Sequence, residues 1–263
     1  MAKSSIVLTL SSTVQTHGWA FAQQALKPLY DSDPRLQPER VGLDDTDLRK
    51  KLPCARIEDV KPFWAPEAEE RDGHPERPVS DFYWKRMKAP RVEGMLGQSW
   101  RNSKGDLLPA SVDLRATYAK NLDYMRLFEI WCKLYKPSQG YLHYFGEKEL
   151  PQGEFVTGET EAERVQQRAL SSFALGSFGA DGDQQTFNLG FANYFPESLM
   201  TPGVCAELTE QGFDVSSLGE GVMLKLSESL EAVKQNFAQF SRRRAKAKDI
   251  IGVQHFVVVG EPS

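Results

Sequence analysis

Four histidines, His17, His74, His143 and His255, are the side chains best suited to acid–base or metal chemistry. Helical metal motifs place two imidazoles about one turn apart so that both reach one ion; none of the four has such a partner, and H-E-x-x-H does not occur. No metal site is expected. His143 alternates with Tyr141 in the apolar run 140–146, where a lone imidazole is normally packed or hydrogen-bonded.

Nucleophile and phosphate chemistry find no frame either, because G-x-S-x-G, a Walker A lysine and a G-x-G-x-x-G after a strand are all absent. The stretch 176–183 is glycine-rich but lacks a following helix whose N–H groups would face a phosphate, and it reads as a hairpin turn. Asp181 and Asp183 supply half of an oxygen-ligand calcium loop without its remaining carboxylates. No cofactor and no catalytic residue are expected. One alternative stays open, an enzyme or small-molecule binder with a site assembled in the fold around Tyr141, His143, Asp181 and Asp183. A secretion adaptor or chaperone is another.

Two carboxylate clusters remain, Glu67, Glu69 and Glu70 with Asp72, and Glu159, Glu161 and Glu163. A glycosidase-type pair needs an apolar pocket to raise one pKa, whereas these lie in polar, turn-like sequence and read as solvated charges. They belong to a wider asymmetry. Residues 145–220 hold 13 acidic against 3 basic side chains, while residues 82–136 hold 5 acidic against 11 basic, within a net charge of −4. An acidic face repels nucleic acid and attracts basic proteins, so direct nucleic-acid binding is not expected. The basic cluster Arg242, Arg243, Arg244, Lys246 and Lys248 sits at a helical end, where dipole compensation alone would put it.

The elements that must carry these residues follow from periodicity and punctuation. Ser5–Leu10 reads as a buried strand, followed by a helix over 17–29 with Trp19, Ala22, Leu26 and Leu29 on one face. The segment 31–109 is proline-rich and loop-rich: from Pro28 to Pro109 the chain carries 10 of its 15 prolines. Phe63-Trp64 and Phe82-Tyr83-Trp84 bracket a polar excursion there, and Val92–Trp100 reads as a strand. Leu114–Tyr135 predicts the clearest helix, with Lys120, Asp123, Arg126, Lys133 and Lys136 on one polar stripe, stopped by Pro137. Further strands are expected over 140–146, 186–195, 221–226 and 256–259. Thr201-Pro202 and Gly212 delimit a short helix, and a last helix runs from a Ser227 cap to Gly252. A further helix from Thr160 to Phe173 is predicted by its capping box. The pattern is α+β: a mixed sheet packed against helices, in one domain over 1–263.

Cys54, Cys132 and Cys205 are odd in number and form no C-x-x-C pair, which predicts a reducing compartment. The apolar run after Lys3 is too short for a signal peptide, and no stretch approaches a membrane span, so a cytoplasmic protein is expected.

The C-terminal pattern taken whole carries a family likeness. Leu199-Met-Thr-Pro202, a short helix to Gly212, Leu218-Gly-Glu-Gly221, a strand and Ser229-Leu-Glu-Ala-Val233 lead to an arginine-rich helical end. With Gly140-Tyr-Leu-His-Tyr-Phe145 behind a long helix, it resembles the immunity protein 52 family of polymorphic-toxin and type VI secretion systems, best over residues 110–255. The resemblance implies a non-enzymatic antitoxin that neutralises a co-produced toxin, commonly a nuclease of restriction-endonuclease-like fold, and it brings no catalytic residues. Candidate partner-interface residues are Trp64, Glu67, Glu69, Glu70, Glu159, Glu161 and Glu163, since charge steering and aromatic anchors are the usual means of such binding.

Overall fold

A computed structural model of the chain describes residues 5–44, 47–49, 52–64, 70–71, 73–76, 79–149, 188–256 and 260–261. They form an α+β fold. One nine-stranded sheet has the order β12-β13-β11-β10-β1-β9-β6-β5-β2, beside two short two-stranded ladders. In that order the strands are Asp214–Leu218 (β12), Gly221–Lys225 (β13), Ala192–Pro196 (β11), Gln139–Phe145 (β10), Ser5–Ser12 (β1), Ala110–Thr117 (β9), Val92–Leu96 (β6), Phe82–Arg86 (β5) and Arg40–Gly42 (β2). The small ladders pair Glu70–Arg71 (β3) with His74–Pro75 (β4), and Trp100–Arg101 (β7) with Leu107–Leu108 (β8). By contact the chain divides into two compact units: Leu8–Gly140 with Leu218–Glu220, and Met1–Val7 with Tyr141–Ser217 and Gly221–Ser263.

The unit built on Leu8–Gly140 holds the helices α1 (Trp19–Asp31) and α2 (Tyr124–Tyr135). The helix expected over Leu114–Tyr135 is here a strand followed by a shorter helix. Along β9, Ala110, Val112, Leu114 and Ala116 are buried and the residues between them are half-buried. That period of two is the signature of a strand with one face in the core, and it outweighs the helical spacing of the residues that follow. α2 begins where the Asp123 side chain accepts the Arg126 N–H at 2.9 Å, and it ends at Lys136 in a left-handed conformation, φ 43°, before Pro137. Trp131 of α2 is fully buried, donates its indole N–H to the Ala25 carbonyl at 2.9 Å and meets Trp84 edge-on at 6.2 Å.

The proline-rich region is more regular than its composition suggests. Phe82 and Trp84 are buried alternate residues of β5, and β5 pairs antiparallel with both β2 and β6. No proline interrupts any of these three strands; they lie between them, where a missing N–H breaks no ladder. Gly94 pairs directly with Trp84, and a Cβ there would lie 2.3 Å from the indole ring and 2.5 Å from the Asp113 carbonyl oxygen. Only glycine lets the indole lie flat across its neighbouring strand.

The second unit holds the helices α3 (Pro202–Glu210), α4 (Leu230–Gln235) and α5 (Phe237–Ile251). Thr201 caps α3 with proline at its first position, and Gly212 follows at φ 78°. The expected single C-terminal helix is broken at Asn236, whose side chain accepts the Gln239 N–H at 3.2 Å and so opens α5 as a new helix. The cap of α4 is Ser229, accepting from the Ala232 N–H at 3.0 Å, rather than Ser227. The expected strand over 256–259 and helix over 160–173, like the turn at 176–183, lie outside the described residues except for Phe256.

Candidate functional site

The side chains with chemical potential gather in two buried clusters. The larger is in the unit built on Tyr141–Ser217, where β10 supplies His143, the turn after it Glu149, α5 Arg244 and Lys248, and the C-terminal segment Glu261. Arg244 and Lys248 are one turn apart and share the buried face of α5 with Phe240, Ala247 and Ile251. Arg244 reaches Glu149 at 2.9 Å and Glu261 at 2.5 Å, and Lys248 also pairs with Glu261. Among the described residues two cations thus face two carboxylates out of water, the compensation that buried charges need, since an uncompensated one costs several kcal/mol. Aromatic faces complete the enclosure: Arg244 lies over Phe240, Lys248 over Phe256, and His143 stacks on Phe240 at 5.1 Å.

His143 is wholly buried, and the hydrogen bonds to its two ring nitrogens identify its tautomer. The Phe191 backbone N–H donates to Nδ1 at 3.1 Å, so Nδ1 is the acceptor and Nε2 carries the proton, facing Glu149 at 2.8 Å. Burial pushes the imidazole below its ordinary value although Glu149 pulls it up. Burial would raise the Glu149 carboxyl, but the Arg244 guanidinium and His143 outweigh it and hold the group below the usual carboxylate range. Lys248 is pushed down by burial against the pull of Glu261. The result is a neutral histidine donating to an ionised glutamate, with both ring nitrogens engaged.

The second cluster, in the unit built on Leu8–Gly140, has the composition of a nucleophile and its base. His74 Nδ1 lies 3.0 Å from the Ser99 hydroxyl, and both residues are buried. The geometry assigns other roles. Ser99 donates its hydroxyl proton to the Val14 carbonyl at 2.7 Å, so the imidazole is the donor to Ser99 and cannot take its proton. Nearby, the Ser99 N–H donates to the Thr16 hydroxyl at 3.0 Å, tying three chain segments together. Elsewhere in this unit burial pushes the Asp81 and Asp113 carboxyls above their ordinary values; Asp113 accepts from Thr9 at 2.9 Å and Asp81 from the Gln98 N–H at 3.1 Å.

Of the residues nominated from sequence, Trp64 is only 4% exposed, packs on Phe82 at 5.9 Å and donates its N–H to the Thr16 and His17 carbonyls at 3.2 Å each. This is the placement of a core anchor and leaves little of the ring for a partner. Glu70 lies on β3, opposite Pro75. Glu67, Glu69, Glu159, Glu161 and Glu163 lie outside the described residues, as do Asp181 and Asp183 of the alternative site. Tyr141 and His143 of that alternative are both buried. Among the described residues no group of three or more His, Cys, Asp or Glu is placed to hold a metal ion.

Sequence reasoning missed Glu149, Arg244, Lys248 and Glu261. A signal for two of them was present, because Arg244 and Lys248 fall on the same helical stripe as Phe240, Ala247 and Ile251. Dipole compensation accounts for basic residues near a helix end, but not for their position on its apolar face.

The fold resembles one already solved. Over 94% of this chain and 72% of the other, it is similar to the Pseudomonas aeruginosa T6SS protein PA0821, with a TM-score of 0.58 and 12% sequence identity. No protein-family model matches the chain, and no curated protein does. No described helix is long and apolar enough to cross a membrane.

Proposed function

We propose that this chain is an immunity protein associated with type VI secretion, which binds a co-produced toxin in a stable complex and neutralises it in the cytoplasm. The observation that carries this reading is the fold likeness to a type VI secretion system protein across 94% of the chain. The C-terminal pattern that resembles the immunity protein 52 family supports it independently. So does the closure of both histidine clusters, whose ring and hydroxyl protons are already committed within the fold.

The toxin that fits best is a nuclease, in keeping with the resemblance, because such an enzyme presents a basic face to nucleic acid and residues 145–220 are strongly acidic. Neutralisation then needs no chemistry from the inhibitor, only occlusion of the toxin's active site or of an assembly it requires. Co-purification with the toxin encoded beside this chain, followed by a nuclease assay with the chain in excess, tests the reading. Stable co-elution and loss of cleavage are expected; full cleavage in the presence of excess chain would overturn it. Reversing Glu159, Glu161 and Glu163 to lysine should slow association at low salt, and an unchanged rate would remove them from the interface.

A further inference from the structure

Among the described residues β12 stands at one end of the strand order, and an edge strand leaves one row of N–H and C=O groups without a sheet partner. Only Gly219 and Glu220 join it to β13. In a hairpin with so short a loop, alternate residues turn their backbone groups outward, which here selects Val215 and Ser217. Beside this edge lies a groove of about 690 Å³, lined by Cys205, Thr209 and Glu210 of α3, by Val215 and Ser217 of β12 and by Val222 of β13. Successive strand residues point to opposite faces of a sheet. Val215 and Ser217 therefore share one face, and Val222 of β13 joins them there, so the groove lies between that face and α3 with β12 along its rim. Asp214, Ser216 and Ser217 are exposed, so nothing described covers the strand.

The chemistry around this edge selects its occupant. α3 carries Glu207 and Glu210, both exposed, and no lysine or arginine; Asp214 adds a third carboxylate, paired with Lys225 at 2.6 Å. A second copy of this chain would bring its own Glu207 and Glu210 against these. We propose that β12 is a docking edge that takes up an extended, basic segment of the toxin as an added strand. Backbone hydrogen bonds from Val215 and Ser217 hold the segment, alternate side chains enter the α3 groove, and its lysine or arginine residues face Glu207 and Glu210. This inference rests on the chain's being a toxin-binding protein.

The test uses the full chain and the toxin encoded beside it. Hydrogen exchange at the Val215 and Ser217 amides should slow on complex formation. Ser217→Pro, which removes an outward N–H while proline remains tolerable on an edge strand, should weaken binding about tenfold or more, the equivalent of one or two backbone hydrogen bonds. The double variant Glu207→Lys, Glu210→Lys alters only exposed side chains of α3 and should slow association about tenfold at low salt, independently of how Ser217→Pro folds. If the unmodified chain does not bind the toxin, the proposed function and this inference fall together. If it binds while both amides exchange at their free rate and both variants bind as the native chain does, this inference alone is overturned. Dimerisation of the free chain that Ser217→Pro abolishes would give the edge to a second copy and overturn the toxin as occupant.

Discussion

Replacing His143 by glutamine tests the buried network through its pH dependence. Glutamine keeps a donor for Glu149 but removes the titration. In the folded chain burial lowers the imidazole pKa from its ordinary 6.5, so between the two values the unfolded chain binds more protons than the folded one. The stabilising contribution is therefore present above pH 6.5 and is lost as the pH falls toward the folded value. Lowering the pH from about 7.5 to about 5.5 costs the native chain up to about 1.4 kcal/mol through this one group, the ceiling set by protonation of the unfolded imidazole. The same window lies above the ordinary carboxyl range, so Glu149 contributes little there. The raised Asp81 and Asp113 occur in both proteins and cancel in the difference. Urea unfolding at a series of pH values, read as the difference between native and His143→Gln midpoints at constant m, is the assay. The native chain should lose more stability than the variant across the window, by up to about 1.4 kcal/mol. Parallel curves would refute the reasoning, because they would mean that His143 titrates alike in the folded and unfolded chains.

Three further outcomes follow from the packing. Glu261→Ala removes the carboxylate that pairs with both Arg244 and Lys248, and breaking a buried pair in this way should cost about 3–5 kcal/mol, read from the urea midpoint. Trp64→Ala should lower stability by about 3–5 kcal/mol by thermal unfolding; a variant that melted like the native chain would return Trp64 to the surface as an interface anchor. Gly94→Ala drives a methyl into the Trp84 ring and the Asp113 carbonyl and should cost at least about 1–3 kcal/mol, visible as a lower melting temperature.

Much of the local structure was legible in the residues. The cap at Thr201 and the stop at Gly212, and the apolar runs of β1 and β10, are short-range signals, and the structure places an element at each. Errors arose where two periodicities competed or where one side chain tipped a local choice. β9 carries residues that also fit a helical stripe, and its place in the sheet between β1 and β6 makes the period of two the one that buries apolar area. Asn236 can end one helix and start another, and its capping bond interrupts what the apolar stripe alone would join.

The sequence by itself determined the α+β class, the absence of familiar catalytic spacings and the uneven charge, because these depend on composition and on neighbours a few residues apart. Only the tertiary structure decided which charges leave water. Glu149 lies 95 residues before Arg244 and Glu261 17 after it, both beyond any helical spacing, and their ion pairs exist because the turn after β10 and the segment around Glu261 both pack onto α5. A helix stripe can announce that Arg244 and Lys248 face inward, but the carboxylates that make their burial tolerable come from elsewhere in the fold.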